Sequence, residues 1–358
     1  MKTLRRKVDI NGLHTAPVQA MIEEAANVIR AGGLVVFPTE TVYGLGANAL
    51  SASSVEKIFH AKQRPSWDPL IVHIADTAML SKVVAAPLSH SARLLAEAFW
   101  PGPLTLLLPK ASSIPDGVTA GRSLVGVRIP AHPVARALIL AAGVPIAAPS
   151  ANSFGRISPT LAIHVLEDLD GRIDMLLDSG ETLHGVESTV VDVAQDPVVL
   201  YRHGAIPIED LRRVYGKIED GSREGNSARM PEPPESLPSP GLGIRHYAPK
   251  ARLVPIEEEW ADLPEALYQA VQDAAAVNKR LGVMLPSGFL SRSLPALPNV
   301  LVFDWGDWTD LPMLAHRLFA GLRCLDAEGV EIILCPVPQG EGIGAAIRDR
   351  LFKASRKT

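Results

Sequence analysis

A proline-rich segment limits the folds open to this chain because it divides the sequence into two parts. Five of the ten residues from 231 to 240 are proline. Proline lacks a backbone donor and fixes φ, so this segment can form neither a helix nor a central strand. We predict an extended, semi-rigid linker over residues 216–250. It would join a first domain, residues 1–215, to a smaller domain, residues 251–358.

Short apolar strands alternate with amphipathic helices on both sides of this linker. Before it, the pattern predicts helices at 18–31, 53–62, 89–99 and 134–142, and strands at 34–37, 70–74, 104–108, 125–129, 145–148 and 189–193. After it, the predicted strands are 252–255, 281–285, 300–303 and 330–334, with helices at 263–276, 311–327 and 345–354. Such alternation is typical of α/β proteins, and we expect a small parallel sheet in the second domain.

Composition and charge exclude several classes of protein. Hydrophobic residues make up 47% of the 358 residues, which is a core-forming composition and excludes wholesale disorder. The net charge of −4 argues against binding nucleic acid by bulk charge, so any RNA contact would be local and weak. The longest apolar stretch, 137–149, is shorter than the roughly 18 residues of a membrane span. We expect no membrane association and a cytoplasmic location.

The two cysteines, Cys324 and Cys335, are too few for a disulfide framework or a four-cysteine zinc site. We predict that both are small buried hydrophobic residues of a reduced protein. The spacing of His and Cys residues is not of the metal-binding type, and we predict no metal site in the protein itself. The P-loop and nucleophile-elbow motifs are also missing.

The densest polar cluster is FPTETVYGLG at 37–46, where a buried strand runs into a turn rich in hydroxyls. Binding residues often lie where a strand ends, although Thr39 or Thr41 could equally be a helix cap. Lys62 and Arg64 follow at the end of a predicted helix. They could simply complement the helix dipole, or they could bind a polyphosphate or carboxylate. His73, on an apolar strand, could be an ordinary core histidine.

Arg128 lies in an apolar strand, and an unpaired buried guanidinium is very costly. Its partner is either an internal carboxylate or an anionic ligand. Small residues and hydroxyls follow the next strand at 147–152 and continue to Ser158, allowing close backbone approach or simply forming turns. Ser188 and Arg202 lie at further strand edges. A glycine-rich loop, GEGIG at 340–344, follows a strand and precedes a helix, but its third glycine comes one residue too early for a dinucleotide loop. We predict a helix N-terminal turn there, with nucleotide binding as the less favoured alternative.

Several motifs occur in an order that resembles one family, the threonylcarbamoyl-AMP synthases with a YrdC-like domain. The motifs are PTETVYGL at 38–45, KxRP from Lys62, PLIVH at 69–73, WPGPLT at 100–105, VRIP at 127–130, PSAN at 149–152 and EST at 187–189. The segment SPGxxxRHYAP at 239–249 and the ending at 342–351 are similar to the long form of this family. The resemblance implies a YrdC-like mixed-sheet α/β domain, a proline-rich linker and a smaller Rossmann-like parallel α/β domain.

This resemblance also implies an activity and its substrates. Such a nucleotidyltransferase joins L-threonine, bicarbonate or CO2 and ATP into threonylcarbamoyl-AMP and releases pyrophosphate. ATP is then a substrate, with Mg²⁺ beside it. A tRNA-modifying threonylcarbamoyl transferase machinery would pass the group to an adenosine of tRNAs that read ANN codons.

The family pattern assigns roles to individual residues. The threonine pocket would contain Thr41, His73, Arg128, Ala148 and Ser188. ATP would be held by Lys62, Arg64, Asp68, Ser150, Asn152, Ser158 and Arg202, of which Lys62 and Arg64 would be catalytic by neutralising charge on the phosphates. Arg245, His246 and Tyr247 of the linker would form a lid over the site.

Three residues depart from the family pattern. Gln63 replaces a usual glycine, Asp68 a usual asparagine, and Leu124 a small hydroxyl residue. Asp68 would be unfavourable beside ATP unless it binds Mg²⁺ or a ribose.

Two other functions stay open at this stage. A carbamoyltransferase-type YrdC-like enzyme is disfavoured by the low cysteine count, and a non-catalytic RNA-binding module is disfavoured by the charge.

Overall fold

The computed structural model describes residues 2–222, 246–276, 279–287, 289 and 300–356. They form two units. The first comprises 2–154, 159–183 and 187–222, and the second comprises Gly155–Ser158, His184–Val186 and 246–356. The second unit therefore includes two short segments from earlier in the chain, which no change in composition marks.

The first unit alternates strands and helices along most of its length. Its elements are β1 (Leu4–Lys7), α1 (Ala16–Arg30), β2 (Val35–Phe37), β3 (Gly44–Asn48), α2 (Ala52–Lys62), β4 (Ile71–His73), α3 (His90–Phe99), β5 (Leu104–Pro109), α4 (Asp116–Thr119), β6 (Leu124–Arg128), α5 (Pro133–Ala142), β7 (Ile146–Ala147), α6 (Ala162–Leu169), β8 (Met175–Asp178), β9 (Thr189–Asp192), β10 (Val198–Arg202), α7 (Ile208–Tyr215) and β11 (Ile218–Asp220).

These strands form one mixed sheet in the order β1-β8-β2-β3-β7-β4-β6-β5-β9-β10-β11. For example, β4 pairs parallel with β6, whereas β5 pairs antiparallel with β6. The sheet has a core on each face, because Val36 packs into one apolar cluster while its neighbours Val35 and Phe37 pack into another. Burial on both faces explains the continuous apolar strands. The predicted mixed α/β class is confirmed.

The second unit is a smaller α/β layer. Its elements are β12 (Arg252–Ile256), α8 (Leu263–Ala276), β13 (Leu281–Pro286), β14 (Val300–Gly306), α9 (Leu311–Ala327), β15 (Ile332–Pro336) and α10 (Gly344–Ser355). The strands pair in the order β12-β15-β13-β14, and every pairing is parallel, as predicted. None of the described helices is long and apolar enough to cross a membrane.

Cys324 corrects the prediction for the cysteines. Both cysteines are free thiols, and Cys335 is buried on β15, but Cys324 is exposed on α9. It lies between Arg323 and Leu325, which are buried, so it occupies the outward face of that helix. The cysteine count could not reveal the exposure of Cys324, because the burial of a helical residue depends on the face of the helix on which it lies.

The polar turn after β2 leads directly into β3, a strand that contains Gly46 and that the sequence pattern does not predict. The chain returns as β3 already at Gly44, antiparallel to β2. A Cβ at Gly46 would lie 2.7 Å from Phe37 Cε1 and 2.8 Å from Ile146 Cγ2, so only glycine allows this close packing. Glycine has a low strand propensity, so the sequence pattern did not indicate β3.

Replacing Gly46 by Ala should therefore destabilise the first unit, by about 1–3 kcal/mol of unfolding free energy. The matched control is Gly117→Ala in α4, where the new Cβ would meet its nearest neighbour, Val55 Cγ1, at an ordinary 3.7 Å. Urea unfolding of both variants measures the difference. Equal stability of the two variants would contradict the packing role of Gly46.

Candidate active site

The polar cluster of the first unit is centred on the Arg128 guanidinium at the end of β6. Its Nη2 lies 2.6 Å from Glu40 Oε1, and both side chains are almost wholly buried. Nη1 donates to Thr41 Oγ1 at 3.0 Å, and Nε donates to the carbonyl of Gly102 at 3.2 Å. Of the two partners left open by the sequence, the structure therefore contains the internal carboxylate.

The loop between β2 and β3 holds Glu40 and Thr41 in place through the hydroxyl of Thr39. Thr39 Oγ1 donates to the carbonyl of Val42 at 2.6 Å and accepts from the Val42 N–H at 3.2 Å. Since the single Thr39 hydroxyl proton is used for Val42, Thr41 must donate in the 2.8 Å contact between the two hydroxyls. Thr41 then accepts from Arg128, so the hydrogen bonds run in one direction.

Electrostatics keep the Glu40 carboxyl ionised. Burial alone would raise its pKa, but the charge of Arg128, its hydrogen bond and the backbone of Ala131 together hold the pKa below its usual value. A buried pair of this kind neutralises itself. Removing one partner leaves an uncompensated buried charge, which is far more costly than losing a surface pair.

His73 lies beside Arg128 because β4 and β6 are parallel neighbours with these two residues in register. Burial, followed by the positive charge of Arg128, lowers the pKa of His73 to about 3. The imidazole is therefore neutral at physiological pH and can offer a hydrogen bond but not a charge. Its Nδ1 is buried, and within the described part of the chain it neither accepts nor donates a hydrogen bond. Such an atom is a candidate contact for a ligand.

Two other residues predicted for the threonine pocket also lie at strand ends. Ala148 follows β7, and its N–H donates to the carbonyl of Ile71 at 2.9 Å. Ser188 directly precedes β9, and its hydroxyl lies 2.8 Å from that of Thr105 on β5. Arg202 fixes Ser188 by donating to its carbonyl at 3.0 Å and to its hydroxyl at 3.1 Å.

Lys62 is placed by the way in which α2 ends. The next residue, Gln63, adopts a left-handed backbone with φ of 55°, which glycine adopts without penalty and which accounts for the usual glycine there. The buried Lys62 ammonium donates to the carbonyls of Ser150 and Asn152, both at 2.5 Å. The structure thus brings together three residues predicted for ATP binding.

Arg64 and Asp68 form a second buried ion pair, with 2.9 Å between Nη2 and Oδ1. Arg64 also donates to the carbonyls of Asp68 and Pro69, at 3.2 and 2.8 Å. The acidic residue that departs from the family pattern therefore compensates a cation from the same loop. This pairing answers the concern about an acid near a polyphosphate, because the two charges cancel.

The remaining predicted residues belong to the second unit or lie outside the described residues. Ser158 is fully buried in the second unit. Tyr247, with φ of 63°, stacks on Phe319 with ring centroids 5.6 Å apart, and the Arg350 guanidinium lies 5.0 Å from its ring centre. His246 contacts Tyr247 edge to face at 4.3 Å. Arg245 and the proline-rich segment lie outside the described residues.

Sequence reasoning missed two members of this cluster. Glu40 lies between two threonines at a strand end, and the need of Arg128 for a carboxylate was the signal that could have found it. Thr105 is a lone hydroxyl residue in an otherwise apolar strand, which was a weaker signal. Neither pairing is readable without the sheet order, since Arg128 and Glu40 are 88 positions apart in the chain.

Replacing Glu40 by Gln keeps the size of the side chain but leaves the Arg128 charge uncompensated. We expect the free energy of unfolding to fall by about 3–5 kcal/mol. The control is Glu24→Gln, which breaks the solvent-exposed pair between Arg6 and Glu24 and should cost far less. Denaturant unfolding at pH 7.5 measures both losses, and similar losses would contradict the account of the buried pair.

The lowered pKa of His73 predicts a loss of stability in mild acid. Below its ordinary pKa of 6.5 the unfolded chain binds a proton at His73 that the folded chain excludes until about pH 3. Stability from this group is therefore complete above pH 6.5 and falls as the pH decreases, by about 2 kcal/mol at pH 5.

Unfolding free energies at pH 7.5 and pH 5 should differ less in His73→Asn than in the original protein. Replacing the exposed His60 by Asn supplies the control, and it should leave the pH dependence as it was. The same pH dependence in His73→Asn and the original protein would show that His73 titrates normally in the folded state.

Both parts of the chain match known protein families. Residues 27–204 match a family model described as telomere recombination, and residues 206–356 match the model of the threonylcarbamoyl-AMP synthase C-terminal domain. Threonylcarbamoyl-AMP synthase of Pyrococcus abyssi is 41% identical over 94% of this chain and 96% of its own length. The protein of that name from Bacillus subtilis is 42% identical over 99% and 98%.

The fold is also similar to a solved structure. The crystal structure of P. abyssi Sua5 complexed with L-threonine matches with a TM-score of 0.87 and 39% identity, covering 99% of this chain and 97% of that one. The likeness extends over both units, so it is not confined to the domain that contains the cluster.

Proposed function

We propose that this chain, which belongs to the threonylcarbamoyl-AMP synthase family, makes threonylcarbamoyl-AMP from L-threonine, bicarbonate or CO2 and ATP, releasing pyrophosphate. The observation that carries the proposal is the buried Arg128 guanidinium, which pairs with Glu40, donates to Thr41 and lies in register with the neutral His73. The solved relative with L-threonine supports the choice of amino acid.

Arg128 is suited to bind the carboxylate of threonine. A guanidinium has five N–H groups. Within the described residues, Nε uses its only N–H for Gly102 and Nη1 uses one of its two for Thr41, while Nη2 lies 2.6 Å from Glu40 Oε1 without a well-aligned hydrogen bond. Nη1 and Nη2 thus retain N–H groups for a ligand, and a pair of guanidinium N–H groups matches the two oxygens of a carboxylate. Glu40 stays beside them and balances the charge of Arg128.

Neutral polar groups around Arg128 are suited to the remainder of the amino acid. Nδ1 of the uncharged His73 can bond to the hydroxyl or the amine, while Ser188 and Thr41 supply further hydroxyls. Ala148 lets the backbone approach closely because its side chain is small. A site that hydrogen-bonds a hydroxyl discriminates strongly against analogues that lack it.

ATP would lie beside Lys62 and Arg64, with Asp68, Ser150, Asn152 and Arg202 of the same unit around it. The amine of threonine first takes up CO2 to form a carbamate. A carbamate oxygen then attacks the α-phosphorus, a new P–O bond forms, and the bond to the β-phosphate oxygen breaks as pyrophosphate leaves. Lys62 and Arg64 are held by backbone carbonyls, which would position both beside the phosphates without rearrangement. Lys62 would supply most of the charge stabilisation, because Asp68 offsets the charge of Arg64.

Magnesium has no carboxylate cage in the residues that the structure describes. They contain no group of three or more His, Cys, Asp or Glu that could hold a metal ion. The one acid among the proposed ATP residues, Asp68, is paired with Arg64. Mg²⁺ would accompany the phosphates of ATP and neutralise part of their charge.

The roles of Ser158 in ATP binding and of Arg245, His246 and Tyr247 in a lid stay predictions from the sequence. So do the cytoplasmic location, a weak RNA contact and the tRNA-modifying machinery that would use the product. A lid would protect the mixed anhydride from water until it is passed on.

Pyrophosphate release by the purified protein tests the proposal directly. Release should require ATP, L-threonine and bicarbonate together. Arg128→Ala should lower kcat/KM for threonine about 10²–10³-fold, because a charge-assisted carboxylate contact is lost, with a much smaller change in the KM for ATP. The control is Arg93→Ala on α3, an exposed arginine far in sequence from every proposed site residue.

Three outcomes would contradict the proposal. Release without threonine would indicate a different acceptor. Turnover of carbamoyl phosphate in place of bicarbonate would indicate a carbamoyltransferase. Binding of tRNA by a folded protein that releases no pyrophosphate would favour a binding module.

A further inference from the structure

The second unit contains a cavity of about 440 Å³ at the carboxyl ends of its parallel strands. Each of the four strands contributes a lining residue shortly after it ends: Trp260, Ser287, Asp307 and Gln339 follow β12, β13, β14 and β15. Ligands of open parallel α/β sheets bind at this edge. The volume is within the range of small-molecule sites. The position and the size are therefore those of a binding site.

One wall of this cavity is aromatic. The Trp260 ring stacks on Trp308 with centroids 5.3 Å apart and an angle of 25°, and Phe289 meets Trp260 edge to face at 4.9 Å. Trp260 is nevertheless 46% exposed, which is unusual for so large an apolar side chain. An indole held by other rings yet open to the cavity offers a fixed surface on which a planar ring can stack.

The other wall is polar and negatively charged. Asp307 Oδ1 accepts from the N–H and the hydroxyl of Thr309, both at 2.8 Å, and these bonds lower the pKa of Asp307. The residues described as lining the cavity include neither Lys nor Arg. The described lining thus offers a phosphate no cation, whereas the Asp307 carboxylate can accept hydrogen bonds from hydroxyls. An acid after a strand of a parallel sheet commonly binds ribose hydroxyls in this way.

The glycine-rich loop at 340–344 directly follows Gln339, which lines the cavity. It lies between β15 and α10, as the sequence predicts. Gly342 has a φ of +56°, and a Cβ at Gly344 would overlap the carbonyl oxygen of Gln339. Glycine at these two positions allows the tight turn that places Gln339 at the cavity. The Gln339 amide can both donate and accept, as recognition of a base edge requires.

We infer that this cavity binds a ribonucleoside without a phosphate group. The base stacks on Trp260, the Gln339 amide bonds to its edge, and the ribose hydroxyls donate to Asp307. None of its lining residues is among those proposed for synthesis, and it gives the second unit a ligand of its own.

Calorimetric titration of the full chain with adenosine, guanosine, cytidine and uridine tests this inference. At least one should bind with 1:1 stoichiometry, and Trp260→Ala should weaken that binding at least tenfold. Asp307→Asn should weaken it by about tenfold and abolish the preference for the ribonucleoside over its 2′-deoxy form. The control is Tyr268→Ala, an exposed aromatic residue of α8 that does not line the cavity, and it should bind as the original protein does.

Pyrophosphate release should be the same in Trp260→Ala as in the original protein, which shows that the variant folds and separates this site from the synthesis site. Three results would overturn the inference: no Trp260-dependent binding of any of the four nucleosides, tighter binding of 5′-monophosphates than of nucleosides, or Trp260-dependent binding of methyl glycosides instead. None of these results depends on whether the protein makes threonylcarbamoyl-AMP.

Discussion

The buried ion pair of Arg128 and Glu40 is the interaction on which the site of the first unit depends. An arginine at the end of a central strand is tolerable only with a carboxylate and carbonyl groups around it. This need accounts for the loop after β2, where Glu40 lies between two threonines that fix its position. Burial and, after it, the charge of Arg128 account for the neutral His73 on the neighbouring strand, because both disfavour a second cation there.

The same principle extends to the other buried cations of the first unit. Lys62 is held by two carbonyl oxygens, Arg64 by Asp68, and Arg202 by Ser188. Each charge is thus fixed before any ligand arrives, and such preorganised charges are the means by which a site stabilises developing phosphate charge. Lys62 and Arg202 are held by oxygens of Ser150, Asn152 and Ser188 rather than by a carboxylate in these contacts, so a protein with a net charge of −4 can present local positive charge to an anionic substrate.

Apolar periodicity located most helices and strands, because those elements bury one face or both. It missed β3, where Gly46 is needed for packing, and it missed β1, whose pairing partner β8 is about 170 residues away. It also missed β8 itself, β11 and the helices α4, α6 and α7. Motifs identified most of the polar residues of the cluster as candidates, but they did not reveal how these residues pair. Neither the contact between Arg128 and Glu40 nor the one between Ser188 and Thr105 can be read without the strand order. The aromatic wall of the second cavity left no signal, since its rings come from separate loops.

We propose that Arg128 recognises the carboxylate of threonine. The contribution of this contact to binding can be measured by changing the ligand and the protein in one cycle. The binding of L-threonine and of L-threoninol, which has an alcohol in place of the carboxylate, would be compared in the original protein and in Arg128→Ala. We predict that the original protein strongly prefers threonine and that the variant binds both equally weakly. An undiminished preference for threonine in Arg128→Ala would contradict the account, because the carboxylate would then be bound elsewhere.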